Sequence, residues 1–236
     1  MRVPLPAFPF RCRCGAPGVP LLGRRAALAL AVGGAGALAQ PAARAQVLPR
    51  APEAALHRLL RGNNRYATGN IESLDRDTAI LRRGTLGRQK VFAAVLACTD
   101  LAEPVDLVFD QTIGSVRTAK TPGNVVTKDA AARLEYAATG LGATALLVLG
   151  HSGCATIAAA IKARPPLDRP GPYAALARAV FEGRGDPVFT AQLNALVQAA
   201  ELARRSQPIA GLVAAGRLAV VAAYFDAKTG RVITSS

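Results

Sequence analysis

Tryptophan is absent from this 236-residue chain, methionine occurs once, and aromatic residues make up only 5% of it. Without aromatics interleaved among its cations, the chain lacks the stacking platforms that single-stranded nucleic-acid binders use. Acidic residues are also few, 15 against 29 Lys and Arg, which leaves a formal charge of +14. The first 45 residues hold six arginines and no acid, so the remaining chain keeps +8 of that charge. Those remaining cations are scattered, without the blocks or one-faced stripe of a nucleic-acid footprint. They read as a solvated basic surface with some capacity to steer small anions such as bicarbonate.

Long hydrophobic runs are missing too. The longest, Ala26–Ala39, has 14 residues, three of them glycine. That is too short to span a bilayer well, so no stable membrane insertion is expected. Arg24-Arg25 precedes this run and Ala43-Arg44-Ala45 follows it. A basic n-region, a short apolar h-region and small residues at −3 and −1 define a secretory signal over 1–45. The paired arginines point to the twin-arginine route, although Ala27 stands where a bulkier apolar residue is commoner. Export to a bacterial periplasm is therefore expected, with residues 46–236 as the mature domain.

What is abundant is Ala, Leu and Val; hydrophobic residues make up 51% of the chain, enough for one sizeable core. Apolar spacing predicts a helix over Glu53–Tyr66, and the polar stretch Gly69–Gln89 has room for a second short one. Val91–Ala97 and Ala145–Leu149 are continuous apolar runs that stop abruptly, as buried parallel strands do before a loop. Helices are expected near Val105–Phe109, over Asp129–Thr139, Cys154–Ala163, Tyr173–Phe181 and Ala191–Arg205, and strands over Leu218–Phe225 and Arg231–Ile233. Alternating strands and helices imply an α/β fold, a central, mostly parallel β-sheet flanked by helices with an N-terminal helical arm. Such sheets present functional groups at the carboxyl ends of their strands.

Only four cysteines and two histidines are present. Cys12 and Cys14 fall within the signal segment. Cys98 ends the first buried strand within Cys-Thr-Asp100, and His151 and Cys154 follow the second as His-x-x-Cys. If the two strands are neighbours, two thiolates and one imidazole converge. That soft, borderline set suits one tetrahedral zinc ion with a fourth position for water or a carboxylate. The rival is a Cys98–Cys154 disulfide, natural in an oxidising compartment but leaving His151 and Asp100 without a role.

The segments Phe92–Asp100, Val108–Gln111, Gly123–Val126, Leu134–Ala137 and Val148–Cys154 resemble the β-class carbonic anhydrases. So do Leu59–Asn63 with Arg65-Tyr66, and Leu218–Asp226 with Thr229-Gly230 and Val232. The resemblance runs from about Glu53 to Ile233. It implies a zinc enzyme in which bound hydroxide converts carbon dioxide to bicarbonate, with Cys98, His151 and Cys154 as ligands. It implies that Asp100 accepts a hydrogen bond from the bound water, or ligates the metal itself in a closed state. By the same resemblance Gln89 and Tyr136 contact substrate, Gly123-Asn124 forms a tight turn beside the site, and the chain assembles as a homodimer or higher homo-oligomer.

The family pattern Cys-x-Asp-x-Arg is broken, since Ala102 replaces the arginine that clamps the aspartate away from the metal. Lys120 replaces another common arginine, Pro122 a small residue, and Val91 a proline. Arg117 stands where an apolar residue is usual, from which it substitutes for the lost clamp if it reaches Asp100. Carbonic anhydrase activity is expected on this basis. Hydrolysis of carbonyl sulfide or carbon disulfide, and a non-catalytic zinc protein on the same fold, remain as alternatives.

Overall fold

The computed structural model describes residues 52–84, 90–168, 170 and 173–235. Residues 1–45, where a secretory signal is expected, and Gln89 lie outside them. The described residues form eight α-helices and five strands: α1 Pro52–Ala67, α2 Ser73–Arg83, β1 Ala93–Cys98, α3 Val105–Val108, β2 Val116–Thr121, α4 Lys128–Thr139, β3 Ala145–His151, α5 Ala155–Ala163, α6 Ala177–Gly183, α7 Pro187–Arg205, α8 Gln207–Ala214, β4 Ala219–Asp226 and β5 Arg231–Thr234.

The sheet order is β2-β1-β3-β4-β5. The first four strands are parallel, and β5 closes the sheet antiparallel to β4. β1 and β3 are central and wholly buried, which is why both read as unbroken apolar runs. Their side chains alternate between two cores. Val95, Leu147 and Leu149 meet the α1 and α3 side through Leu59, Val105 and Phe109. Ala94, Leu96, Leu146 and Val148 meet α4, α7 and α8 through Leu134, Leu202 and Ile209.

β2 was not anticipated from the sequence. Its residues Val-Arg-Thr-Ala-Lys-Thr bury only Val116, Ala119 and Thr121, so the strand carries no apolar run. A strand hydrogen-bonded on one side alone can expose charged side chains without penalty. α8 was also missed. After Arg205 the chain restarts a helix at once, because Ser206 caps it through Ile209 N and Pro208 suits a first turn.

The arm shows what Gly62, Asn63 and Arg65 each hold in place. A Cβ on Gly62 would lie 1.8 Å from the Phe109 carbonyl oxygen, so only glycine lets α1 approach α3. Asn63, 4% exposed, donates to Val108 O and Gly230 O and accepts from Val232 N. Arg65 pairs with the buried Asp110, whose other oxygen accepts from Glu72 N and Ser73 N at 3.0 and 2.7 Å. These bonds fix both arm helices to the loop after α3 and to β5.

Candidate metal centre

The register of β1 against β3 pairs Ala97 with Leu149, so the two strands end at the same level. Cys98, the last residue of β1, therefore lies beside His151, the last residue of β3. Beyond each strand the chain turns tightly. Leu101 N donates to Cys98 O, lifting Asp100 over the strand end. Ser152 N donates to Phe225 O, after which Gly153 adopts a left-handed φ of +70° and places Cys154 immediately before α5.

One ligand atom from each of Cys98, Asp100, His151 and Cys154 falls within 4.8 Å of all the others. The sulfurs are 3.6 Å apart and both cysteines are free, far from the ~2.05 Å of a disulfide. With Zn–S near 2.3 Å and Zn–O near 2.0 Å, a tetrahedron has S···S and S···O edges of about 3.8 and 3.5 Å. Cys154 Sγ stands 3.6 Å from Asp100 Oδ1, so both spacings fit. His151 donates from Nδ1 to Ser152 O at 3.0 Å, which turns Nε2 toward the centre, 2.8 Å from Asp100 Oδ1. Fixing the outer imidazole nitrogen on a carbonyl is the usual way to orient a metal-binding histidine.

The electrostatics favour a cation. Hydrogen bonding from the Cys154 thiol, and then from His151, holds the Cys98 thiol well below its ordinary range despite burial. The same bond pushes Cys154 up, as expected when one of two adjacent sulfurs carries the charge. Burial lifts the Asp100 carboxyl, but hydrogen bonds from Cys98, His151 and Thr156 N–H outweigh it and hold the group at about 2. Burial lowers His151, while its bonds to Cys98 and Asp100 raise it further, for a net rise. Two anionic donors close to a second sulfur and an imidazole lone pair are the environment a divalent ion neutralises.

Asp100 is anchored by the first turn of α5, accepting from Ala155 N at 2.7 Å and Thr156 N at 3.3 Å. Among the described residues no lysine or arginine pairs with it. A sequence that starts a helix straight after a cysteine already offers those N–H groups. Gly123 comes to the same place. Its N–H donates to Cys98 Sγ at 3.0 Å, and at φ +63° a Cβ would lie 3.1 Å from the Thr156 methyl and 3.4 Å from Leu176.

Two candidate residues lie away from this centre within the chain. Tyr136 is 61% exposed, and its ring lies over Gly140 at the end of α4. α4 runs antiparallel to the strands, so this is the end of the sheet remote from Cys98, and one chain does not bring Tyr136 to the centre. Arg117 pairs in register with Ala94, near the middle of β1, and its charge acts on Asp106 instead of Asp100. Lys120 reaches the 99–102 turn, donating from Nζ to Leu101 O at 2.8 Å. Asn194 and Gln198 of α7, which no motif singles out, stand behind Gly123.

The family model described as carbonic anhydrase matches residues 93–232. Carbonic anhydrase 2 of Mycobacterium tuberculosis is 30% identical over 195 residues, covering 77% of this chain and 92% of that protein. The carbonic anhydrase of Mycolicibacterium smegmatis is 31% identical over 193 residues with the same coverage. Among solved structures, the β-carbonic anhydrase CafA of Aspergillus fumigatus superposes with a TM-score of 0.57 at 19% identity, covering 78% of this chain and 90% of that one. A tetrameric β-carbonic anhydrase of Sordaria macrospora gives a TM-score of 0.52 at 20% identity, covering 76% and 95%.

Proposed function

This chain belongs to the β-carbonic anhydrase family, and from that premise we propose that it interconverts carbon dioxide and bicarbonate with one zinc ion held by Cys98, His151 and Cys154. The observation that carries the reading is the donor set at the ends of β1 and β3, with its two sulfurs 3.6 Å apart. Zinc bound there supplies a Lewis acid that draws the pKa of coordinated water toward ~7.

The chain's own groups prepare the site for that chemistry. Ser152 O fixes the histidine tautomer, and Gly123 N–H takes up charge from Cys98 Sγ. Asp100, with 29% of its side chain exposed, stands at the solvent side. Held by Ala155 N and Thr156 N, it is placed to accept the hydrogen bond of a reacting water, aiming a lone pair at the carbon of the substrate. Cys98 and His151 are 0% and 5% exposed, which keeps the surroundings of low dielectric and strengthens each of these interactions.

A second reading has its own observation. Asp100 Oδ1 hydrogen-bonds His151 Nε2 at 2.8 Å and lies 3.6 Å from Cys154 Sγ, within reach of the fourth position, and Ala102 has no guanidinium to withdraw it. In that arrangement the centre rests closed, and the protein is gated or is a zinc protein without turnover. Stopped-flow carbon dioxide hydration by zinc-replete protein across pH 7–9 separates the two. A rate above buffer supports the enzyme, and its absence throughout that range leaves the non-catalytic reading.

We also propose that the active form is a homodimer or larger assembly exported to the periplasm. Leu59 is spent on its own core at 0% exposure, but Leu56 and Leu60 beside it are only half-buried, leaving arm surface for a second copy. No helix among the described residues is long and apolar enough to cross a membrane. Sedimentation of the purified protein, and fractionation of cells carrying variants of Arg24-Arg25, test assembly and address.

A further inference from the structure

α7 crosses behind the metal centre and turns two uncharged amides inward: Asn194 is 0% and Gln198 2% exposed. Buried amides of this kind are costly unless their hydrogen bonds are met, and these meet theirs on the 121–126 loop, on Ala175 and on each other. Asn194 Nδ2 donates to Gly123 O at 2.7 Å. Gln198 accepts from Val126 N at 2.8 Å through Oε1. Its Nε2 donates to Asn194 Oδ1 at 3.3 Å and to Ala175 O at 3.0 Å. A third tie, from Thr121 Oγ1 to Val125 O at 2.7 Å, closes the 121–126 loop on itself.

Gly123 is thus bonded on both sides. Its carbonyl is held by Asn194, and its N–H donates to Cys98 Sγ at 3.0 Å. Left-handed backbone at φ +63° is needed for that pose, and Thr156 and Leu176 close off the space around its Cα. A peptide N–H aimed at a thiolate fixes the direction of the sulfur and tempers its charge, so a ligand that loses this partner is held less firmly on the metal. The strength of that effect depends on the direction of the N–H, and the Asn194 amide is what sets it.

We infer that Asn194 is a positioning residue for the ligand Cys98, acting through the Gly123 peptide and itself oriented by Gln198. This inference rests on the reading of Cys98 as a metal ligand. It assigns a role to a helix distant in sequence from every ligand, and it explains why two neutral amides occupy a helix face that otherwise packs alanine and leucine against the sheet.

The test uses full-length mature protein loaded with cobalt(II), whose thiolate-to-metal charge-transfer band reports directly on sulfur donor strength. Wild-type protein lacking that band would defeat the zinc assignment itself. With the band present in wild type, Asn194→Ala is expected to move its energy and to speed metal loss to a chelator by about tenfold or more, in line with other outer-shell ligand partners. A folded Asn194→Ala protein with an unmoved band and unchanged metal release overturns the inference while leaving the ligand set standing. Should that variant fail to fold, Gln198→Met keeps the Asn194 donor and removes its support together with the ties to Val126 N and Ala175 O. A smaller shift in the same direction is then expected, and no shift overturns the inference equally.

Discussion

Asp100 Oδ1 and His151 Nε2 face each other at 2.8 Å while the other imidazole nitrogen is committed to the Ser152 carbonyl. With Nδ1 donating its hydrogen, a neutral ring would oppose a lone pair to a carboxylate. The pair is stable only if a cation is shared between them, a proton on the imidazole or a metal ion across the four donors. The raised His151 and depressed Asp100 express the first solution, and the two sulfurs beside them make the second available.

Removing one sulfur should therefore abolish metal retention. Cys98→Ala purified alongside the parent is expected to carry less than about a tenth of its zinc by elemental analysis, because His151 and Cys154, even joined by Asp100, lose the buried thiolate of the set. Zinc content equal to the parent would show that Cys98 is not a ligand.

Ala102→Arg restores the side chain that the family pattern places beside Asp100. Ala102 is exposed and the adjacent Leu101 carbonyl already receives Lys120, so an arginine has room to reach the carboxylate. A bidentate clamp worth ~1.4 kcal/mol or more against the closed arrangement raises turnover about tenfold. X-ray absorption at the zinc edge should at the same time lose a carboxylate oxygen. Turnover and coordination both unchanged would show that Asp100 is already kept off the metal by other means, with its bonds to Ala155 and Thr156 the first to suspect.

Gly123→Ala tests the turn itself. A left-handed alanine costs about 1–2 kcal/mol, and its Cβ would also press on the Thr156 methyl at 3.1 Å. A drop of that size in unfolding free energy, read from the urea midpoint, is expected, together with weaker metal binding. Adding Thr156→Ser removes the methyl and should recover the packing part of the loss but not the backbone part.

Asp106 gives a pH dependence separate from catalysis. Burial raises its carboxyl to about 6, the charge of Asp77 adds to this and Arg117 opposes it, and Oδ1 has no hydrogen-bond partner among the described residues. The fold therefore favours the protonated form. Its contribution to stability is full below the unfolded pKa near 4 and is lost as pH rises through 6. Asp106→Asn should flatten that segment of the stability curve and raise stability at pH 8 by about 2 kcal/mol. An unaltered pH slope between 4 and 7 would assign the slope to other groups.

The sequence alone marked out Cys98, His151 and Cys154 as a potential donor set, and the layers around them. β1 and β3 are buried on both faces, so their apolar runs and abrupt ends are short-range signals, and the residues just beyond them are marked by position. The arm motif was legible through the family resemblance alone, since Gly62 and Asn63 answer to contacts with Phe109, Val108 and Gly230 far along the chain. Tertiary structure decided what depends on a partner far along the chain. β2 is a strand only because β1 offers an edge to it. Within the chain Tyr136 lies remote from Cys98 because helix α4 runs back toward the opposite end of the sheet, which its own spacing does not disclose. The hold of α5 on Asp100 and of Asn194 on Gly123 spans 55 and 71 residues. Local pattern records which side chains are buried. Which of them meet is set by strand register and helix direction, and in this protein those relations place the groups that orient the ligands.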